Sequence, residues 1–365
     1  MKFAILARSV PPIHCGIGEH TVNFANALRA IGAKSEVFAS QGEPRDHINV
    51  ISDRWDHATL SHLFDRMENI GIEHVSIQFT PLSFNHEITS SDALTDFWAR
   101  CSSRWKTSMI VHETFFRVWW YPPSWIRGGL EKILLRKMVD HSQYVFTASQ
   151  PLINEMCRWR TSSRLSHLPI GSNVPVLQIN RTEARSQLGI GLNEIVLVLF
   201  GGGNSLKWMK GHVYSIDSLL HSKGVRASWL MLGGIPESWF TLKLPVTSLG
   251  RVSEKDLSIR LQTSDIFLMP HYAGLCAKRG TLMAAMQHGL PVVGTETRMT
   301  DAIWKDHRGI TLLARPDAEG FAKSVLELSR DGQKRLVMGI TNQDFFNRFC
   351  TWPTIAEAFL HKVMQ

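Results

Sequence analysis

Short apolar runs alternate along the chain with longer stretches in which apolar residues return every three or four positions. The first pattern predicts strands at residues 2–7, 34–39, 73–78, 107–111 and 143–148, then at 194–200, 226–232, 265–270, 291–294 and 309–313. The second predicts helices near 18–32, 58–70, 91–104 and 124–140, then 209–222, 254–262, 279–288 and 316–329. Strand–helix alternation at this spacing implies parallel sheets covered by helices on both faces. The pattern forms two blocks. Between them, residues 168–175 hold two prolines, a glycine and an asparagine, which is the composition of a connection. The expected organisation is a first domain over 1–172, a second over 173–350, and a closing helix over 351–365 with Pro353 in its first turn. Open α/β sheets bind ligands outside the carboxyl ends of their strands, so function is expected on the loops that come after strands.

Composition narrows the class. At 365 residues, 44% hydrophobic and 20% charged, the chain can bury two cores and is not a disordered, collagen-like or coiled-coil sequence. The formal charge is +8, distributed as −5 over residues 1–99, +7 over 100–172 and +6 over 173–365. An anionic partner is therefore expected: phosphates, nucleic acid or an anionic membrane surface. No RNA- or DNA-binding module is visible. Five scattered cysteines without a C-x-x-C fit a reducing compartment, with neither a zinc site nor structural disulfides. The opening residues are interrupted by Arg8 too early for a signal peptide, and no run of 18 apolar residues occurs, so a cytoplasmic protein is expected.

Four loops carry the candidate chemistry. After the first strand, Gly16, Ile17 and Gly18 open a helix whose N–H groups suit an anion, with backbone close enough for contact. Position 21 is Thr, so a G-x-G-x-x-G fingerprint is not formed, and any tight strand–helix turn would fit equally. After 194–200, Gly202 and Gly203 precede Lys207 and Lys210. The spacing is not that of a Walker loop, but a glycine-rich turn with two lysines can hold a diphosphate. After 265–270, a loop of small residues reaches Cys276, Lys278, Arg279, Gly280 and Thr281, where a helix begins. That arrangement gathers amides, a hydroxyl and two positive charges. After 107–111, His112 stands at a strand's carboxyl end, suited to a sugar hydroxyl or a proton transfer, with Gln78 and Ser149 on neighbouring strands. No D-x-D, H-E-x-x-H or G-x-S-x-G occurs.

At these residues the chain resembles the two-domain GT-B glycosyltransferases, and most of all the large retaining group called glycosyltransferase family 4. The resemblance runs in order through the first loop and helix from Gly16, the interdomain segment at Pro169, the phosphate loop from Phe200 to Gly211, the base-reading segment with Arg251 and Val252, and the donor loop and helix from Pro270 to Val293. It implies an α/β, GT-B architecture: two Rossmann-like, doubly wound parallel-sheet domains facing across a cleft. Two departures stand out. The family's two donor-motif glutamates align with Cys276 and Ala284, and its arginine ahead of Lys210 falls on Asn204 or Ser205.

The resemblance implies a metal-independent retaining transfer from a nucleotide-diphosphate sugar, a UDP-sugar such as UDP-glucose by preference. The acceptor would be a glycan or lipid-linked hydroxyl, within cell-surface polysaccharide synthesis. No cofactor and no metal are expected. Lys210 and Arg279 would steady the leaving diphosphate. His112 would contact the donor sugar or position the acceptor, and Val252 would read the base. Residues 115–137 mix tryptophans with basic side chains and suit a peripheral contact with an anionic membrane, at the inner face of the plasma membrane. The same residues also fit a core or cleft wall. The alternatives are a nucleotide-sugar 2-epimerase on the same fold, or a nucleotide-binding or scaffold protein with a degenerate site.

Overall fold

A computed structural model describes the chain except residues 52–53, 82–90, 115–121, 159–164, 202–209, 236–237, 239–240 and 315–316. The chain divides into two compact units, Met1–Asn173 with Trp352–Gln365, and Val174–Thr351.

In the first unit, β1 (Lys2–Ser9), β2 (Lys34–Gln41), β3 (Ile48–Val50), β4 (His74–Phe79), β5 (Lys106–Val111), β6 (Tyr144–Thr147) and β7 (Leu165–His167) form a parallel sheet in the order β3-β2-β1-β4-β5-β6-β7. All six residues of β4 are buried, as expected of a parallel strand covered on both faces. The helices α1 (Gly16–Ala30), α2 (His57–Asn69), α3 (Ser91–Arg104), α4 (Pro122–Asp140) and α5 (Gln150–Cys157) cover the sheet together with the closing helix, Trp352–Met364. That helix belongs to the core: the Phe359 ring lies 5.1 Å from those of Phe24 and Phe146 and 5.8 Å from Phe3. On the other side, buried Trp98 donates from Nε1 to the Met138 carbonyl and the Ser142 hydroxyl, both at 3.0 Å.

In the second unit, β8 (Ile195–Phe200), β9 (Ala227–Leu232), β10 (Val246–Leu249), β11 (Ile266–Met269), β12 (Val292–Glu296) and β13 (Ile310–Ala314) form a parallel sheet in the order β10-β9-β8-β11-β12-β13. It is wrapped by α6 (Arg181–Gln187), α7 (Lys210–Ser222), α8 (Glu254–Gln262), α9 (Gly280–Gln287), α10 (Ala318–Arg330) and α11 (Gly332–Phe349).

Both sheets reverse direction once, at β1/β4 and at β8/β11. These are the topological switch points at which doubly wound sheets bind ligands. Strands β3, β7 and β10 and helices α5, α6 and α11 are additions to the sequence-based expectation.

Candidate functional site

The second unit's switch point lies between the loops that leave β8 and β11. Gly202, Gly203 and Lys207, in the loop after β8, fall outside the described residues. Lys210 is half-buried and is the first residue of α7, where helix polarity favours an anion.

The loop after β11 is bonded to β12 and to the turn at residues 297–301. Thr295 donates its hydroxyl to the His271 carbonyl at 2.6 Å and accepts the His271 amide at 3.1 Å. The Leu275 amide donates to the Thr295 carbonyl at 2.9 Å, and the Thr297 hydroxyl to the Ala273 carbonyl at 2.8 Å. A buried carboxylate oxygen of Asp301 accepts the Ala277 amide at 2.7 Å. Gly274 is required at the bend. Its φ is +80°, and a Cβ there would lie 2.5 Å from the Thr297 hydroxyl and 2.6 Å from that of Thr300.

This clamped loop delivers Arg279 to the cap of α9. The amides of Gly280 and Thr281 lie in the first turn, where no intrahelical acceptor exists. Lys278 and Arg279 are both half-buried. The Arg279 Nη2 donates to His271 Nδ1 at 2.9 Å. Burial first, and then the charges of Arg279 and Lys278, push the His271 pKa down to about 3. Cys276 and Ala284, the positions at which the resemblance leads us to expect glutamates, are 2% and 1% exposed. Both side chains are packed in the core of the second unit. Arg251 and Val252 come after β10, two strands away from β8, with Arg251 exposed and Val252 half-buried.

In the first unit, α1 starts at Gly16, and Gly18 packs so tightly that a Cβ would lie 2.5 Å from the Ser9 carbonyl oxygen. The Asn173 amide donates to the Gly16 carbonyl at 3.3 Å and to Glu19 at 3.1 Å, fixing this turn. Ile17 is half-buried. His112, just past β5, donates from Nε2 to Gln78 Oε1 at 2.7 Å. Its ring lies 4.9 Å from that of His20, which also stands edge-on to Trp352 at 5.0 Å. Burial, then the neighbouring His112, holds the His20 pKa well below the ordinary histidine range. The structure thus joins Gly16, Ile17, Gly18 and His112 to one sheet edge, and Lys210, Cys276, Lys278, Arg279, Gly280 and Thr281 to another. His271, Thr295 and Asp301 were not assigned roles from the sequence.

Elsewhere in the first unit, α4 exposes Trp125 (45%), Ile126 (72%), Leu130 (39%) and Ile133 (53%). Ile126, Leu130, Ile133 and Lys137 fall on one helix face, with Arg127 and Arg136 exposed beside it. Residues 115–121 of the basic aromatic segment lie outside the described residues. Among the described residues no helix is long and apolar enough to cross a membrane, and no three His, Cys, Asp or Glu side chains are grouped to hold a metal ion.

Two Rossmann-like units of this kind define the GT-B fold of glycosyltransferases. Solved structures share it along the whole chain. Sucrose-phosphate synthase from Thermosynechococcus elongatus matches at a TM-score of 0.74 and 14% identity, covering 100% of this chain and 98% of that one. HepE of Anabaena, solved with UDP and glucose, matches at 0.72 and 13%, covering 100% and 99%. WaaG, a glycosyltransferase of lipopolysaccharide biosynthesis, matches at 0.65 and 15%, covering 99% of each. Residues 195–331, from β8 to the end of α10, match the family model of glycosyl transferases group 1. Comparison of the sequence with curated proteins gives no match.

Proposed function

We propose that this protein is a metal-independent, retaining glycosyltransferase that moves a sugar from a nucleotide-diphosphate sugar, a UDP-sugar by preference, to a hydroxyl of a glycan or glycolipid in cell-surface polysaccharide synthesis. One observation carries the reading. At the β8/β11 switch point, within the segment that matches group 1 glycosyltransferases, two helix starts bring Lys210, Lys278 and Arg279 to one sheet edge. The hard step of such a transfer is the departure of a diphosphate, on which negative charge accumulates. Fixed cations and first-turn amides stabilise that charge without reorganising, at roughly 3–4 kcal/mol per well-placed donor. HepE, which shares the fold, is described in complexes with UDP, with UDP-glucose and with UDP and glucose, which supports the choice of donor. His112 is the first unit's candidate for contacting the donor sugar or positioning the acceptor hydroxyl. The α4 stripe is the proposed peripheral contact with the cytoplasmic face of an anionic membrane, where a lipid-linked acceptor would be met.

Thermal-shift screening against UDP, GDP, ADP and their sugars tests the donor assignment. The expected result is stabilisation by UDP and its sugars, lost in Lys210→Ala and insensitive to EDTA. No response to any nucleotide would favour the degenerate scaffold, for which the buried, non-acidic Cys276 and Ala284 are the motive. Conversion of the donor sugar without acceptor would favour the 2-epimerase, and the anomer of the transferred sugar, read by NMR, tests retention.

A further inference from the structure

His271 stands directly after Pro270, at the carboxyl end of β11, and its backbone is fixed on both sides by the Thr295 hydroxyl. Two donors converge on its Nδ1: the Ala273 amide at 3.0 Å and the Arg279 guanidinium at 2.9 Å. A nitrogen that accepts from two N–H groups carries no proton, so the neutral ring holds its proton on Nε2. Burial and two adjacent cations keep it in that state across the working pH range.

The choice of a neutral partner has an electrostatic consequence. A carboxylate would orient Arg279 equally well, but would cancel its charge. An imidazole nitrogen orients the guanidinium and cancels nothing. We propose that His271 is a positioning residue of the anion site, orienting Arg279 through Nδ1 without placing a negative charge of its own beside that side chain. The inference rests on the donor reading above. It accounts for a histidine in this position by charge as well as by shape.

The test compares His271→Asn with His271→Asp, two side chains of nearly equal size that both offer an acceptor oxygen. Calorimetry measures the binding of UDP, GDP and ADP, and of the corresponding nucleosides, to the full chain. His271→Asn should bind the preferred diphosphate within about threefold of wild type, whereas His271→Asp should bind it at least about tenfold more weakly. The nucleoside, which lacks the anion, should bind all three proteins alike. Should Asn and Asp variants bind the diphosphate equally, or should diphosphate and nucleoside weaken together, the positioning role is overturned while the donor reading stands. Should the wild type bind no nucleoside diphosphate, the donor reading fails and the inference goes with it. If the Asp variant does not fold, nitrogen-15 NMR of the wild-type imidazole decides the question independently. Nδ1 must report as unprotonated and Nε2 as protonated at neutral pH, and the reverse tautomer or a cationic ring overturns the proposal.

Discussion

Asp301 is 2% exposed, and its Oδ2 accepts the Ala277 amide at 2.7 Å. Ala277 lies two residues before Arg279, so this carboxylate fixes the path of the chain into the α9 cap. Removing an acceptor from a buried amide costs about 1–3 kcal/mol. Asp301→Ala should therefore lower the unfolding free energy by that amount in urea titration and weaken diphosphate binding in parallel. Asp301→Asn, which keeps an acceptor oxygen, should recover most of both. Equal stability of the alanine variant and the wild type would remove Asp301 from any role in the loop. At this scale the sequence speaks through residue chemistry and reach. It puts a helix start near Arg279, and Arg279 does cap α9, while the described part of α7 runs from Lys210. His271, Thr295 and Asp301 escape it because their bonds join the loop after β11 to positions 24 residues further on, on β12 and in the turn after it, and no local pattern sets that register.

Among the elements, α4 makes the sharpest demand for an explanation. Its outward face carries Trp125, Ile126, Leu130 and Ile133 beside Arg127, Arg136 and Lys137, while Glu131, the acid within that stretch, is buried and paired with Arg127 at 3.4 Å. An interfacial helix combines apolar insertion with about 1 kcal/mol per basic residue near anionic lipid. Flotation with vesicles containing anionic lipid should recover the wild-type protein in a salt-sensitive manner. Ile126→Glu with Ile133→Glu should abolish recovery without lowering thermal stability, since both side chains are already exposed. Equal recovery on neutral vesicles, or undiminished recovery of the variant, would rule out this face. The elements that sequence pattern leaves out have physical reasons for being missed. Strands β3, β7 and β10 are edge strands of three or four residues, too short for a period to register. Helix α11 exposes Leu336, Val337 and Ile340, so its apolar residues do not mark the buried side. It is fastened instead by the buried Asn342 amide, which donates to the Leu290 carbonyl at 2.7 Å and the Gly309 carbonyl at 2.9 Å.

Across the whole molecule, the strand–helix alternation made two doubly wound sheets legible, because covered parallel strands read as continuous apolar runs whatever their neighbours. What the alternation conceals is the polar content of those sheets, and that content sets a pH dependence. Both units hold histidines that folding keeps neutral. In the first, His20 is held well below its ordinary range and His74 is pushed down to about 3, chiefly by burial and then by the charges of His112 and Lys106 respectively. In the second, burial lowers His271 to about 3 and lowers His288 and His307. A histidine whose folded pKa is depressed takes up its proton more readily in the unfolded chain. Between about pH 3 and pH 6.5 the unfolded state therefore binds more protons, and stability falls as pH falls through that window. Each such group contributes a slope of up to about 1.4 kcal/mol per pH unit. Asp56, depressed by its bond to the Thr59 amide, also loses its contribution in acid, but only below its unfolded value near 3.8, so the two windows separate. The protein should thus lose stability steeply between about pH 6.5 and 5, above the window in which Asp56 contributes. His74 isolates the effect, because its Nε2 lies 2.8 Å from the Ser108 hydroxyl and a glutamine can make that bond without titrating. His74→Gln should flatten the urea-unfolding slope of the first unit by one proton across this window while leaving the neutral-pH value close to wild type. A variant that retains the full acid sensitivity would show that His74 is not among the groups that impose it.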